Sequence, residues 1–410
     1  MYKYLCANIA EAEKVLRRAL VISPSDCDML TDLARALSYQ AIESPSLGDR
    51  LIDSIQARAN NRLGGEGCKA DQILAPEMEA RVLFNKVLEM EPGHLDALKS
   101  YGRLLHHIVE DFGEAQKFYT KALNLDPRDF DLESELGALL FQRGNMQDAC
   151  AHFDSATANS KTKFERSEIL YEYGCHLMDR GNSDGTADIE AAADKWALSV
   201  DANPFNIGAC YNLAMARYDA GLLNESKVLF ERICSLETKN SGALYQLGRL
   251  REDLDLDSEG AMDLFYRAAC ADPSLSDAVC RLGRLKWRFK KDYRGAERLL
   301  RAAIEGGADE VLASDVMEVV GNTKGAVDEE ISMKNQSHYE ELRHPDRPEC
   351  LHSQAYFEYG AFLQDARQDV EGAMDMYQRS LDTGGKSLGL MIRYGTLCCR
   401  YCTHVPNTKL

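Results

Sequence analysis

Apolar positions along this chain recur in two helical patterns that alternate from one end to the other. The first is an apolar residue followed directly by Gly or Ala. It occurs at Leu33-Ala34, Tyr101-Gly102, Leu136-Gly137, Tyr173-Gly174, Leu213-Ala214, Leu247-Gly248, Leu282-Gly283, Tyr359-Gly360 and Tyr394-Gly395. Six of the eight spacings between these pairs lie between 34 and 40 residues. The second pattern begins about twelve residues after each pair: a small residue, a large apolar residue four later, and a small or apolar residue three beyond that. Ala115/Tyr119/Ala122, Ala149/Phe153/Ala156, Ala192/Trp196/Ser199 and Ala261/Phe265/Ala268 are examples. Those offsets put all three residues on one face of a helix. A fixed period of this size predicts stacked helical hairpins.

Glycine inside a helix costs roughly 1 kcal/mol relative to alanine. Seven of the nine pairs nevertheless carry it. Close approach of the second helix supplies the compensation, because a residue without a side chain lets a large one pack against the backbone. Proline follows many of the second helices, at Pro24, Pro92, Pro127, Pro204 and Pro273, each twelve residues after the small residue that opens the face. It lacks an amide hydrogen and clashes with the preceding turn, so it ends one helix before the next begins.

The phrases Ala122-Leu-Asn-Leu-Asp-Pro127 and Leu247-Gly248 resemble the tetratricopeptide repeat family, over about 350 of the 410 residues. The resemblance implies an all-α superhelix, a tetratricopeptide solenoid of about eight helical hairpins. The helix around residues 7–22 reads as the second half of a repeat, and residues 388–401 read as a first half, so a half repeat is expected at each end. Exposed apolar faces there would allow end-to-end contacts.

Two interruptions divide the expected array. Residues 1–308 form the main stack, with an inserted loop over 41–76 that holds Gly64, Gly65 and Gly67 and a short helix near 47–59. The Ala34 to Gly102 distance of 68 equals two periods, but Ser46 and Arg50 occupy the slots a further repeat would need. Residues 309–352 read as a polar linker with a short helix over 311–320 and the segment His344-Pro-Asp-Arg-Pro348. This linker is expected to detach residues 353–401, the last one and a half repeats, from the main stack, and residues 402–410 form a tail.

Composition narrows the function. Forty-eight basic against 66 acidic residues leave a net charge of −18, which argues against a general nucleic-acid or anionic-membrane surface. Thirteen cysteines show no disulfide-like spacing, and there is no N-terminal signal peptide or apolar run of membrane-spanning length. Reduced thiols in a cytoplasmic or nuclear compartment are expected.

No catalytic constellation stands out: there is no Gly-x-Ser-x-Gly motif and no phosphate loop after a strand. The chain is read as a non-enzyme without cofactor or metal. Cys398, Cys399, Cys402 and His404, with Cys350 and His352 upstream, contain only one well-spaced ligand pair where structural zinc wants two. His106 and His107 end a first helix and read as surface histidines whose adjacent positions point in different directions.

The family resemblance implies that first helices line a concave groove. The exposed slots lie two before, two after and five after the apolar residue of each pair. On this chain they select Tyr171, Tyr211 and Tyr245, then Met215, Arg249 and Arg284, then Tyr218 and Trp287, with Arg288 beside them. Rigid aromatics make interface anchors at low entropic cost. Residues 281–301 carry nine basic against two acidic side chains, so Arg249, Arg284 and Arg288 are expected to receive an acidic partner segment. The clamp by which members of this family hold acidic chaperone tails is not matched: Asn212 fits, but Tyr171 and Cys175 precede it and Gly242 and Gln246 follow.

The reading is a non-catalytic scaffold that binds a protein or peptide segment in the groove. One alternative is a structural or assembly subunit of a large complex. A second is an RNA-binding helical array, which would need a basic groove along its whole length.

Overall fold

A computed structural model describes residues 2–43, 76–184, 188–254, 256–305, 312, 350–384 and 387–404. The expected loop over 41–76, apart from its first and last residues, lies outside the described residues. So do the expected helix and linker over 309–349, apart from residue 312, and the tail from 405. Among the described residues the chain is all-α, and it divides into two compact units, Met1–Asn203 and Pro204–Leu410.

In the first unit α1 (Tyr2–Ile22) packs on α2 (Cys27–Glu43), which pairs with α3 (Pro76–Met90). Three further antiparallel pairs follow: α4 (Leu95–His107) with α5 (Phe112–Leu125), α6 (Phe130–Gln142) with α7 (Met146–Asn159), and α8 (Lys163–Asp184) with α9 (Asp188–Ala202). In the second unit α10 (Ile207–Asp219) pairs with α11 (Leu223–Leu236), and α12 (Ser241–Leu254) with α13 (Ser258–Ala271). Then come α14 (Ser276–Leu285) with α15 (Tyr293–Glu305) and α16 (Cys350–Phe362) with α17 (Val370–Asp382), and α18 (Leu388–His404) lies on α17. Among the described residues, eight hairpins and a single helix at either end match the periodicity of the pairs.

Each hairpin is an interlock of a small slot with a large side chain. Tyr119, Phe153, Phe230, Phe265, Leu300 and Tyr377 are fully buried, as are the small residues four before them. A Cβ added to Gly102 would stand 2.5 Å from the Tyr119 ring, one on Gly137 2.7 Å from Phe153, and one on Gly248 2.7 Å from Phe265. Trp196 makes the same contact with Gly174 and donates its Nε1 hydrogen to the Tyr171 carbonyl at 3.2 Å. Close backbone approach, rather than turn geometry, is therefore what holds glycine in mid-helix.

The helix ends follow local chemistry. Helices α1, α3, α5, α9 and α13 each stop two residues before a proline, at Pro24, Pro92, Pro127, Pro204 and Pro273. Asp129, Asn206 and Asn240 cap the next first helices by accepting the amide hydrogens of Leu132, Ala209 and Ala243 at 2.9 to 3.2 Å. Where a hairpin turn is tightest, Gly144 and Gly221 take positive φ of 78° and 77°.

The interlock gives a paired prediction. Gly248→Ala should lower stability by about 1–3 kcal/mol through overpacking against an immobile ring. Nothing lies within 4 Å of a Cβ at Gly395, which occupies the equivalent slot of α18. There alanine should be neutral or stabilise by up to about 1 kcal/mol. Urea unfolding of both variants decides the matter, and shifts of the same sign would refute the interlock.

Residues 353–401 are not detached. Helix α16 packs against both α14 and α15, and Trp287, Leu300, Phe362 and Tyr377 share one apolar cluster. That cluster and the Arg284–Glu358 ion pair at 3.3 Å join α16 to the hairpin of α14 and α15.

Candidate functional site

The first helices of the second unit place most of the selected residues on adjoining positions. Tyr211, Met215 and Tyr218 lie on α10, Tyr245 and Arg249 on α12, and all five are half-buried. Helical spacing of three and four puts Tyr211, Met215 and Tyr218 in one row. Tyr211 meets Phe230 edge-on at 5.6 Å, and Tyr245 tilts against Phe265 at 5.8 Å. The inner edge of each ring thus belongs to the hairpin core while the remainder faces outward. Burial pushes both tyrosine hydroxyls up from their ordinary value.

Arginines tie these rings together. Arg249 donates from Nη2 to the Tyr218 hydroxyl at 2.6 Å and from Nη1 to Gln246 Oε1 at 3.0 Å. Its guanidinium lies 4.8 Å from the Tyr218 ring centre and 5.9 Å from that of Tyr245. Arg281 on α14 donates to the Tyr245 hydroxyl at 3.3 Å and to Glu252 Oε2 at 3.2 Å. Beyond it Arg284 bonds both oxygens of Glu252 at 2.7 and 2.8 Å and reaches Glu358 Oε1 at 3.3 Å. Tyrosine, arginine and carboxylate therefore alternate across α10, α12, α14 and α16.

Two expectations need correction. Trp287 is buried at 8 % exposure and meets Phe362 edge-on at 6.0 Å, so it is a core residue between α14 and α16. Helix α14 continues through a π-helical turn, Lys286–Lys290, whose wider turn rotates the fifth slot inward. Arg284 does not offer a free charge, since Glu252 and Glu358 already hold it. Arg288 is exposed and lies 5.0 Å from the Trp287 ring centre. Asp277, with its carboxyl raised by burial against the pull of Arg281 and Arg249, completes a face with three arginines and three carboxyl groups.

In the first unit the same slots hold a different arrangement. Tyr171 on α8 is half-buried, and burial raises its hydroxyl above the ordinary value. Lys99 pairs with Asp129, Arg103 with Asp131 and Glu135, and Ser134 donates to Glu172 at 3.1 Å. His106 is not a surface residue: it is 1 % exposed, stacked on His107 with ring centres 4.1 Å apart, and both rings converge on Glu135. Burial pushes the Glu135 carboxyl up, but bonds from His106 and His107 and the Arg103 charge outweigh it and hold the group well below its usual range. Adjacent histidines at a helix end carry no periodic signal, which is why sequence spacing does not reveal this cluster.

The side chains of Cys350, His352, Cys399, Cys402 and His404 lie outside the described residues. The eight cysteines whose side chains are described form no disulfide with one another. Among the described residues no helix is long and apolar enough to cross a membrane.

Stacked antiparallel helix pairs joined by interlocks of a small slot with a large apolar side chain define an all-α helical-repeat protein with the tetratricopeptide-repeat fold. No protein-family model matches the chain. It is 36% identical over 73 residues to the DnaJ protein P58IPK homolog A of Oryza sativa subsp. japonica, a match covering 18% of this chain and 15% of that protein. The chain thus spans a small part of the length of this curated relative. The C-terminal part of a TPR repeat-containing protein from Cytophaga hutchinsonii aligns at TM-score 0.45 and 13% identity, over 71% of this chain and 97% of that one. Human IFIT1, solved as a dimer with m7Gppp-AAAA, aligns at TM-score 0.37 and 13% identity, over 93% of this chain and 80% of that one. At such scores neither partner nor ligand is carried over.

Proposed function

We propose that this chain is a non-catalytic scaffold that takes up a segment of a partner polypeptide on the first-helix face of its second unit. Tyr211, Met215, Tyr218, Tyr245 and Arg249 are the contacts, and Tyr171 is the corresponding contact in the first unit. The observation that carries the reading is the ordered row of half-buried aromatic rings held by Arg249 and Arg281. Side chains already fixed by hydrogen bonds and ring packing lose little rotamer freedom on binding, which favours them as anchors.

The balance of three arginines and three carboxyl groups argues for a partner held by apolar and aromatic groups rather than by a run of acids. Polar backbone of an extended segment suits the tyrosine hydroxyls, and Arg249 sets register. Trp287 has no part in this face.

Site-specific photo-crosslinking tests the proposal. A benzophenone side chain in place of Met215 should crosslink a discrete protein in native extract, and one in place of the exposed Val228 on α11 should not. Equal labelling from both positions, or none from Met215, would count against the groove. A filter-binding signal for RNA that falls steeply with salt would replace it with nucleic-acid recognition.

A further inference from the structure

We propose that His106, His107 and Glu135 form a binding site for a divalent transition metal of the zinc or cobalt class, which clips the end of α4 to α6 in the next hairpin. The three side chains lie in one unit and each offers a ligand atom, all within 4.8 Å of one another. Glu135 Oε2 stands 3.0 Å from His107 Nε2 and 3.7 Å from His106 Nδ1. Ligands bound tetrahedrally at about 2.1 Å stand about 3.4 Å apart, so these separations bracket what a metal requires.

The surrounding groups prepare each ligand for that role. Gln142 Oε1 lies 3.0 Å from His106 Nε2. Gln142 Oε1 accepts from Nε2, which leaves Nδ1 as the nitrogen that faces Glu135. Such a second partner on a histidine ligand fixes tautomer and ring orientation. Arg103 donates to the other carboxylate oxygen, Glu135 Oε1, at 2.8 Å and leaves Oε2 for the histidines. Asp131 pairs with the same arginine and offsets its charge.

The buried Tyr119 hydroxyl, 3.4 Å from both His106 Nδ1 and Glu135 Oε2, closes the inner side. On the outer side a solvent-open pocket bordered by His106, His107, Glu110, Phe112 and Gln142 leaves room for water as a further ligand. Two imidazoles and one carboxylate favour a borderline divalent ion over calcium or magnesium, which take oxygen ligands.

The experiment uses the full chain, freed of metal with a chelator and titrated with cobalt(II) by calorimetry and visible absorption. The wild type is expected to take up one ion with a nitrogen and oxygen spectrum, free of thiolate charge-transfer bands. His107→Ala, at a half-exposed position, should lose that ion while keeping its helical circular dichroism. Glu135→Gln should lose it as well, and Gln142→Leu should weaken it by roughly 10–100-fold.

Zinc should raise the thermal midpoint of the wild type and not that of His107→Ala. No uptake by the wild type, equal uptake by folded His107→Ala, or a thiolate spectrum would each overturn the site.

Discussion

Phe265→Ala is expected to destabilise the second unit by about 3–5 kcal/mol, a large part of the 5–15 kcal/mol typical of a folded domain. Phe265 is fully buried on α13 and fills the slot that Gly248 opens on α12. Its ring also tilts against Tyr245 at 5.8 Å and lies 5.9 Å beneath the Arg281 guanidinium of the following hairpin. Truncation therefore empties a junction between two repeats, where stiff helices cannot collapse to refill it. Urea unfolding followed by circular dichroism measures the loss, with the exposed Val228→Ala as a control expected within about 0.5 kcal/mol. A loss below about 1 kcal/mol would mean that the interlock is not what holds the hairpins together.

Arg284→Ala should cost a comparable amount, about 3–5 kcal/mol, for an electrostatic reason. Glu358 is 3 % exposed, and its Oε1 receives Arg284 at 3.3 Å and Gln354 at 3.1 Å. Its Oε2 is buried without a hydrogen-bond partner among the described residues. Removing the arginine leaves a carboxylate in the α14–α16 interface with one amide to stabilise it. Glu252 suffers less, because Arg281 still reaches it at 3.2 Å.

The double variant Arg284→Met/Glu358→Met should recover most of the loss, since a buried ion pair and an apolar pair of similar volume differ little in stability. Thermal unfolding of the four-member cycle reads the coupling. Losses that simply add would show that the two side chains do not depend on each other.

Both variants bear on attachment of α16 to the earlier hairpins, the point on which sequence and structure part. The polar insertion after residue 308 suggests a separate C-terminal piece, yet Trp287, Leu300, Phe362 and Tyr377 pack together across it. Residues 74 apart, Arg284 and Glu358, meet in that interface. Chain separation says little about contact in a stack, because each new hairpin needs only the exposed face of the one before it.

Repeat period, hairpin pairing and buried positions were legible because they are local. A helix of 3.6 residues per turn converts offsets of three and four into a face, and a glycine tolerated in mid-helix announces a close neighbour. Tyr119, Phe153, Phe230 and Phe265 are buried for that reason alone. The slots that the family resemblance implies fall, at Tyr211, Met215, Tyr218, Tyr245 and Arg249, on half-buried positions.

Only the tertiary structure decided what those positions meet. It turned Trp287 inward through a π-helical turn, occupied Arg284 with Glu252 and Glu358, and drew His106 and His107 onto Glu135 in the next hairpin. Helical period specifies the direction a side chain takes from its own axis, and so the amino-acid order alone determined a stack of antiparallel helix pairs. The partner it finds depends on the charge and size presented by a neighbouring hairpin. That is set by packing across repeats, which no single repeat encodes.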